Sequence, residues 1–183
     1  MVGTIIFLAI VAVIVIFFIM TYNKLVRLRN QVKNAFAQIE THLQRRFDLI
    51  PNLVETVKGY QIHEKELLEN VAAARSGFLN AGSPEEKMEV YNDLSTHLRK
   101  LFAVTEAYPD LKANQSFLML QQELTGTEDK LTYARQFYND AVTMFNDAIL
   151  IFPNNIVAAM AGFKQEALFD AVQEADKAPK VMF

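Results

Sequence analysis

The chain has 183 residues, with 18 Lys and Arg against 21 Asp and Glu, for a formal net charge of −3. This balance argues against a generally basic nucleic-acid binder, so no nucleic acid is expected as a partner. The chain has no cysteine, which excludes disulfides, thiolate metal sites and a cysteine nucleophile.

Only 6 Gly and 5 Pro occur, too few for a turn-rich sheet protein, which favours long helices. Met1–Met20 carries no charge, and from Ile5 onward that stretch is wholly apolar. About 20 helical residues span roughly 30 Å of hydrocarbon. A cleaved signal peptide would need a basic start, a shorter apolar run and a small-residue cleavage site. None of these is present, so residues 1–21 read as an uncleaved transmembrane anchor. Lys24, Arg27, Arg29 and Lys33 follow the anchor, and only the amino terminus precedes it. Positive-inside then predicts the N-terminus outside and residues 22–183 on the cytoplasmic face. Residues 22–60 hold seven basic and three acidic residues, so the positive charge sits against the membrane.

From Lys24 to about Asn80 the apolar positions step by three or four, as one helical face requires. Leu25, Leu28, Val32, Phe36, Ile39, Leu43, Phe47, Ile50, Val54 and Val57 open this stripe. Tyr60, Leu67, Val71, Ala74 and Phe78 continue it. A single helix roughly 80 Å long is predicted, kinked but not ended at Pro51. Ser83-Pro84-Glu85-Glu86 is a start signal: Ser83 caps, Pro84 fits the first turn, and Glu86 reaches back. The second helix should stop at Tyr108-Pro109, after which Tyr108–Lys112 should run extended. A third helix is expected from about Ala113 to Leu150, continuous through Gly126, with the glycine allowing close approach. Thr125 to Glu128 could instead form a second capping box. A turn at Phe152–Asn155, capped by Asn154 or Asn155, should lead to a last helix at Ile156–Glu174. Its apolar start reads either as bundle core or as a partner or membrane-surface contact.

The expected fold is all-α: an N-terminal transmembrane helix continuing into the long helix of an antiparallel up-and-down four-helix bundle. Residues 22–175 form that bundle, with 22–43 as a membrane-proximal stalk and 176–183 as a flexible tail. The lengths leave the stalk poorly covered within one chain, and an uncovered apolar stripe usually has a partner. Leu25, Leu28, Val32, Phe36 and Ile39 are therefore expected to mediate homo-oligomer formation. Lys24, Arg27, Arg29 and Lys33 are expected to hold anionic lipid headgroups of the bilayer.

Motifs for chemistry are missing. Ile39, Tyr60 and Leu94 stand three residues before His42, His63 and His97, so no Glu-x-x-His carboxylate-metal motif occurs. His63-Glu64 begins like a zinc-protease motif, but position 67 is Leu. No phosphate-cradling glycine loop and no nucleophile elbow are present. No catalytic residue, metal or cofactor is expected. Arg45-Arg46 reads as a structural pair facing acids such as Glu123, or else as an anion site. Asn52 and Arg75 are candidates for a buried polar network.

Several blocks in order resemble the LemA family. They include Tyr22–Val26, Arg45–Val54, Val57–Tyr60, Tyr108–Asn114, Leu120–Leu124 and Phe152–Asn155. Phe36 departs from them, standing where the family often has Trp. The resemblance implies a bacterial single-pass membrane protein with an antiparallel helical bundle and no established enzymatic activity. It also implies kinship with a magnetosome-membrane protein, and hence a part in organising membranes. A neighbouring membrane metalloprotease is implied as a possible membrane protein partner, which an adaptor would dock.

Overall fold

Helix α1 (Val2–Lys58) passes through Pro51 without ending, in the computed structural model that describes residues 1–60 and 65–169. Proline removes one backbone bond there, while Phe47, Ile50, Leu53 and Val54 are all buried around it. Packing on both sides therefore outweighs the local loss. The remaining described elements are also helices: α2 (Lys65–Asn80), α3 (Pro84–Thr105), α4 (Pro109–Lys112), α5 (Gln115–Leu150) and α6 (Asn154–Ala161). The all-α expectation holds.

The chain divides into two compact units, and the division falls within α1 and α5. The described part of one unit is Ile39–Tyr133. It is an up-down-up-down bundle of α1 residues 39–58, α2, α3 and α5 residues 115–133. Its fourth helix is not the expected one. The single helix foreseen over 24–80 ends at Lys58, where the Tyr60 N–H tightens onto the Val57 carbonyl at 3.1 Å. Gly59, a poor helix former, stands at that end. Helix α2 then returns antiparallel, and its Phe78 ring stacks on Phe47 at 4.3 Å. The apolar period runs on across the break, so periodicity alone reads one helix. After the break the buried residues are Leu68, Val71 and Phe78, with Leu68 in place of Leu67.

The second bundle turn is the predicted capping box. Ser83 Oγ accepts from the Glu86 N–H at 3.2 Å, and Glu86 Oε2 accepts from the Ser83 N–H at 3.3 Å. Residues 109–112 form one helical turn rather than the expected extended passage. With α1 turned back at Lys58, no extra length is needed there. Asn114 starts α5: its Oδ1 accepts from the Phe117 N–H at 2.9 Å, and its Nδ2 donates to the Tyr60 hydroxyl at 2.7 Å. Helix α5 is continuous through Gly126, as expected, but a Cβ on Gly126 would meet nothing within 4 Å. Close approach is therefore not the reason for that glycine.

The other unit comprises Met1–Gln38 and Ala134–Phe169. Here the second half of α5 packs along α1, with Phe36 and Tyr138 rings 5.7 Å apart. Helix α6 bends 98° from α5 and lasts only eight residues. The expected helix over Ile156–Glu174 is thus corrected: Gly162 takes a left-handed conformation (φ 72°) and ends it. The Phe163 N–H bonds the Ala158 carbonyl and the Gly162 N–H bonds that of Ala159, the Schellman pattern that terminates helices. Asn154 and Asn155 are not caps; Pro153 holds the cap position without a side-chain bond. Residues 163–169 follow as a non-helical strap. Positions 170–174 of the expected helix, and the tail 176–183, lie outside the described residues.

Two asparagines two helical turns apart hold the strap. Asn146 Nδ2 donates to the Glu166 carbonyl at 2.9 Å while its Oδ1 accepts from the Glu166 N–H at 3.0 Å. Asn139 treats Phe169 the same way, at 3.1 and 2.7 Å, and the Tyr138 hydroxyl donates to the Ala167 carbonyl at 3.0 Å. Seven helical residues rise about 10.5 Å, and three extended residues span about 10 Å. The spacings of Asn139 to Asn146 and Glu166 to Phe169 therefore match.

Candidate membrane-interface site

Helix α1 is long and apolar enough to cross a membrane, and none of its apolar window is buried. Burial begins at Thr21 and Leu25. That change marks where lipid would give way to protein as the helix's surroundings. Tyr22 lies at the boundary with its ring 5.9 Å from that of Phe163.

A cleft of about 670 Å³ opens at the same level, lined by Phe17, Met20, Thr21, Asn23, Lys24, Arg27, Leu28, Gln31 and Asn154. Lys24, Arg27, Leu28 and Gln31 share one face of α1, spaced by three, four and seven residues. The cleft therefore joins apolar side chains on the membrane side to two cations on the bundle side. An anionic group carrying an apolar chain would be complementary to that lining.

The four cations expected to act together do not share a face. At 100° per residue, Arg29 and Lys33 point away from Lys24 and Arg27. Arg29 lies 3.7 Å from Glu166 of the strap, and Lys33 is exposed. Nearness in sequence is therefore not nearness on the helix.

The expected self-association stripe is largely internal. Leu25, Val32 and Ile39 are buried, and Leu28 and Phe36 are half-buried. The premise of an uncovered stalk is corrected. Within its own compact unit, α1 up to Gln38 is packed by α5 from Ala134 onward, as the Phe36 and Tyr138 rings show. Charged substitution at Val32 would damage the fold rather than test assembly.

Arg45 pairs with Glu123 at 2.8 Å, as expected. Its neighbour Arg46 is 6% exposed and ion-paired with Glu128. The Arg46 guanidinium also lies over the Tyr91 ring, 5.4 Å from its centroid, and the Tyr91 hydroxyl donates to Glu128 at 2.6 Å. Arg46 is thus compensated within its own bundle, which favours the structural reading over an anion site. Sequence reasoning missed the Tyr91 and Glu128 partners; only α3–α5 packing brings them together. Asn52 is exposed, contrary to its assignment to a buried network, and Arg75 is half-buried. His97 Nδ1 lies 2.7 Å from the Asp93 carbonyl, a local helical contact. His63 lies outside the described residues. Among the described residues, no three His, Cys, Asp or Glu side chains gather to hold a metal.

The sequence model of the LemA family matches residues 35–183. Protein LemA of Metamycoplasma hominis is 30% identical over 153 residues, covering 81% of this chain and 68% of that protein. Magnetosome protein MamQ 2 of Paramagnetospirillum magneticum is 24% identical over 177 residues. Magnetosome protein MamQ of Magnetospirillum gryphiswaldense is 22% identical over the same length. Each magnetosome match covers 82% of this chain, which spans 65% of the relative.

Proposed function

Because the chain belongs to the LemA family, we propose that it is a non-enzymatic, membrane-anchored helical scaffold that assembles side by side and organises the bilayer. The observation that carries this reading is the unbroken α1, which runs from an exposed apolar stretch straight into packed protein. A flexible linker would uncouple protein from membrane; a continuous helix transmits orientation between them. Lys24 and Arg27 in the cleft hold acidic headgroups, each charge worth about 1 kcal/mol near an anionic surface. The bundle lies on the cytoplasmic side, by the charge flanking the anchor. Similarity to proteins named for the magnetosome supports a role at membranes.

Assembly contacts fall on exposed α5 residues, in place of the covered stripe. Phe137 and Met144 are two turns apart and both exposed. Confinement to a membrane raises effective concentration, so a small apolar contact suffices. The test is the mass distribution of the full-length protein in nanodiscs, beside a Phe137→Glu, Met144→Glu variant. A defined homo-oligomer that the variant reduces supports the scaffold. A monomer in both preparations overturns it and leaves the adaptor reading, in which the chain docks another membrane protein.

A further inference from the structure

The α5–α6 turn carries a second apolar surface that the anchor does not explain. Leu150, Ile151, Phe152, Ile156 and Met160 are all exposed, Phe152 by 75% and Met160 by 73%. Residues 148–163 contain no Lys, Arg, Asp or Glu. Helix α6 is apolar on two sides: Val157 and Ala158 are buried in its own fold, while Ile156 and Met160, one turn apart, face outward. A water-facing surface of this kind is uncommon on a small protein.

Its position in the fold indicates what covers it. Asn154, at the start of α6, lines the same cleft as Phe17 and Met20 of the apolar run. Phe163, just after its end, packs on Tyr22. Both ends of α6 therefore lie at the level where α1 leaves its apolar stretch. The 98° bend turns α6 across the direction of α5. Exposed Lys164 follows directly.

We infer that the α5–α6 turn and α6 form an interfacial insertion. Phe152, Ile156 and Met160 enter the acyl–headgroup boundary beside the anchor, so that the chain holds the membrane at two points. The occupant is the bilayer, because the patch is continuous with a surface already exposed to it. The inference rests on the anchor reading of α1.

The chain has no native cysteine, so single-cysteine variants report without background. Phe152→Cys, Met160→Cys, Phe17→Cys and Lys58→Cys are made in the full-length protein and labelled with an environment-sensitive fluorophore. They are reconstituted in vesicles of phosphatidylcholine and phosphatidylglycerol, with nitroxide quenchers at shallow or deep acyl positions. Lys58 lies on the same helix as Phe17, well beyond its apolar stretch. Labels at 152 and 160 should be quenched severalfold more by shallow nitroxides than the label at 58, and the label at 17 by deeper ones. Quenching at 17 with none at 152 or 160 overturns the insertion and leaves the anchor standing. No quenching at 17 overturns the anchor as well. Labels at 152 and 160 that are shielded from water yet unquenched would mean that a second copy covers the patch, which also overturns the inference.

Discussion

Asn146 binds both backbone polar groups of Glu166 with one carboxamide, donating at 2.9 Å and accepting at 3.0 Å. Asn139 repeats this at Phe169, so a segment with no ladder of its own has its backbone satisfied by side chains. Each such bond contributes about 1 kcal/mol net. Asn139→Ala with Asn146→Ala should release the strap and leave the bundle folded. Trypsin cleavage after exposed Lys164 should then accelerate by on the order of a thousandfold, because four bonds are lost and cleavage tracks the population of the opened segment. An unchanged rate would mean that the strap is held by other contacts.

The pair of buried Arg46 and half-buried Glu128 makes a contrast of signs. Arg46→Ala removes the buried cation and leaves half-exposed Glu128 unpaired, and should cost about 2 kcal/mol in a urea titration, less than a fully buried pair would lose. Arg46→Met combined with Glu128→Gln removes both charges and keeps an acceptor for the Tyr91 hydroxyl. That variant should recover most of the loss. Equal destabilisation in the two would show that the charges themselves are needed.

Two glycines should respond oppositely to the same change. Gly126 lies inside α5 with open space around it, so Gly126→Ala should stabilise by about 0.5–1 kcal/mol. Gly162 is left-handed, so Gly162→Ala should cost about 1 kcal/mol despite equally open space. Thermal unfolding of the two variants tests both signs.

Asn114 caps α5 and reaches the end of α1 through Tyr60. Asn114→Ala should cost about 1 kcal/mol from the lost cap. A double-mutant cycle with Tyr60→Phe should give a coupling of about 0.5–1 kcal/mol. Strict additivity would show that the contact carries no energy.

Much of the architecture is legible in the sequence because helix starts have local chemistry. Ser83, Pro84 and Glu86 announce α3 by themselves, and Arg45 with Glu123 follows from opposite charges on neighbouring faces. The break after Lys58 was hidden because the apolar period continues across it. Gly162 was legible in principle: a glycine after Ala161 followed by apolar Phe163 is the Schellman signature, but the apolar run beginning at Ile156 outweighed it. The burial of Leu25, Val32 and Ile39 depends on where α1 turns back, so one misread turn carried over to the expected self-association surface. The split of Lys24 and Arg27 from Arg29 needed only helical phase, but the strap that receives Arg29 could not be foreseen.

The uninterrupted α1 sets unequal rules for insertions and deletions along its length. Between Ile5 and Met20 nearly every direction around the helix is equally apolar. An added residue early in that stretch rotates what precedes it by 100° and shifts its depth by about 1.5 Å, and lipid registers neither strongly. Between Leu25 and Ile39 the same addition would turn a buried stripe away from α5. Length variation among related chains should therefore collect in the first part of the helix, with none tolerated a few turns later.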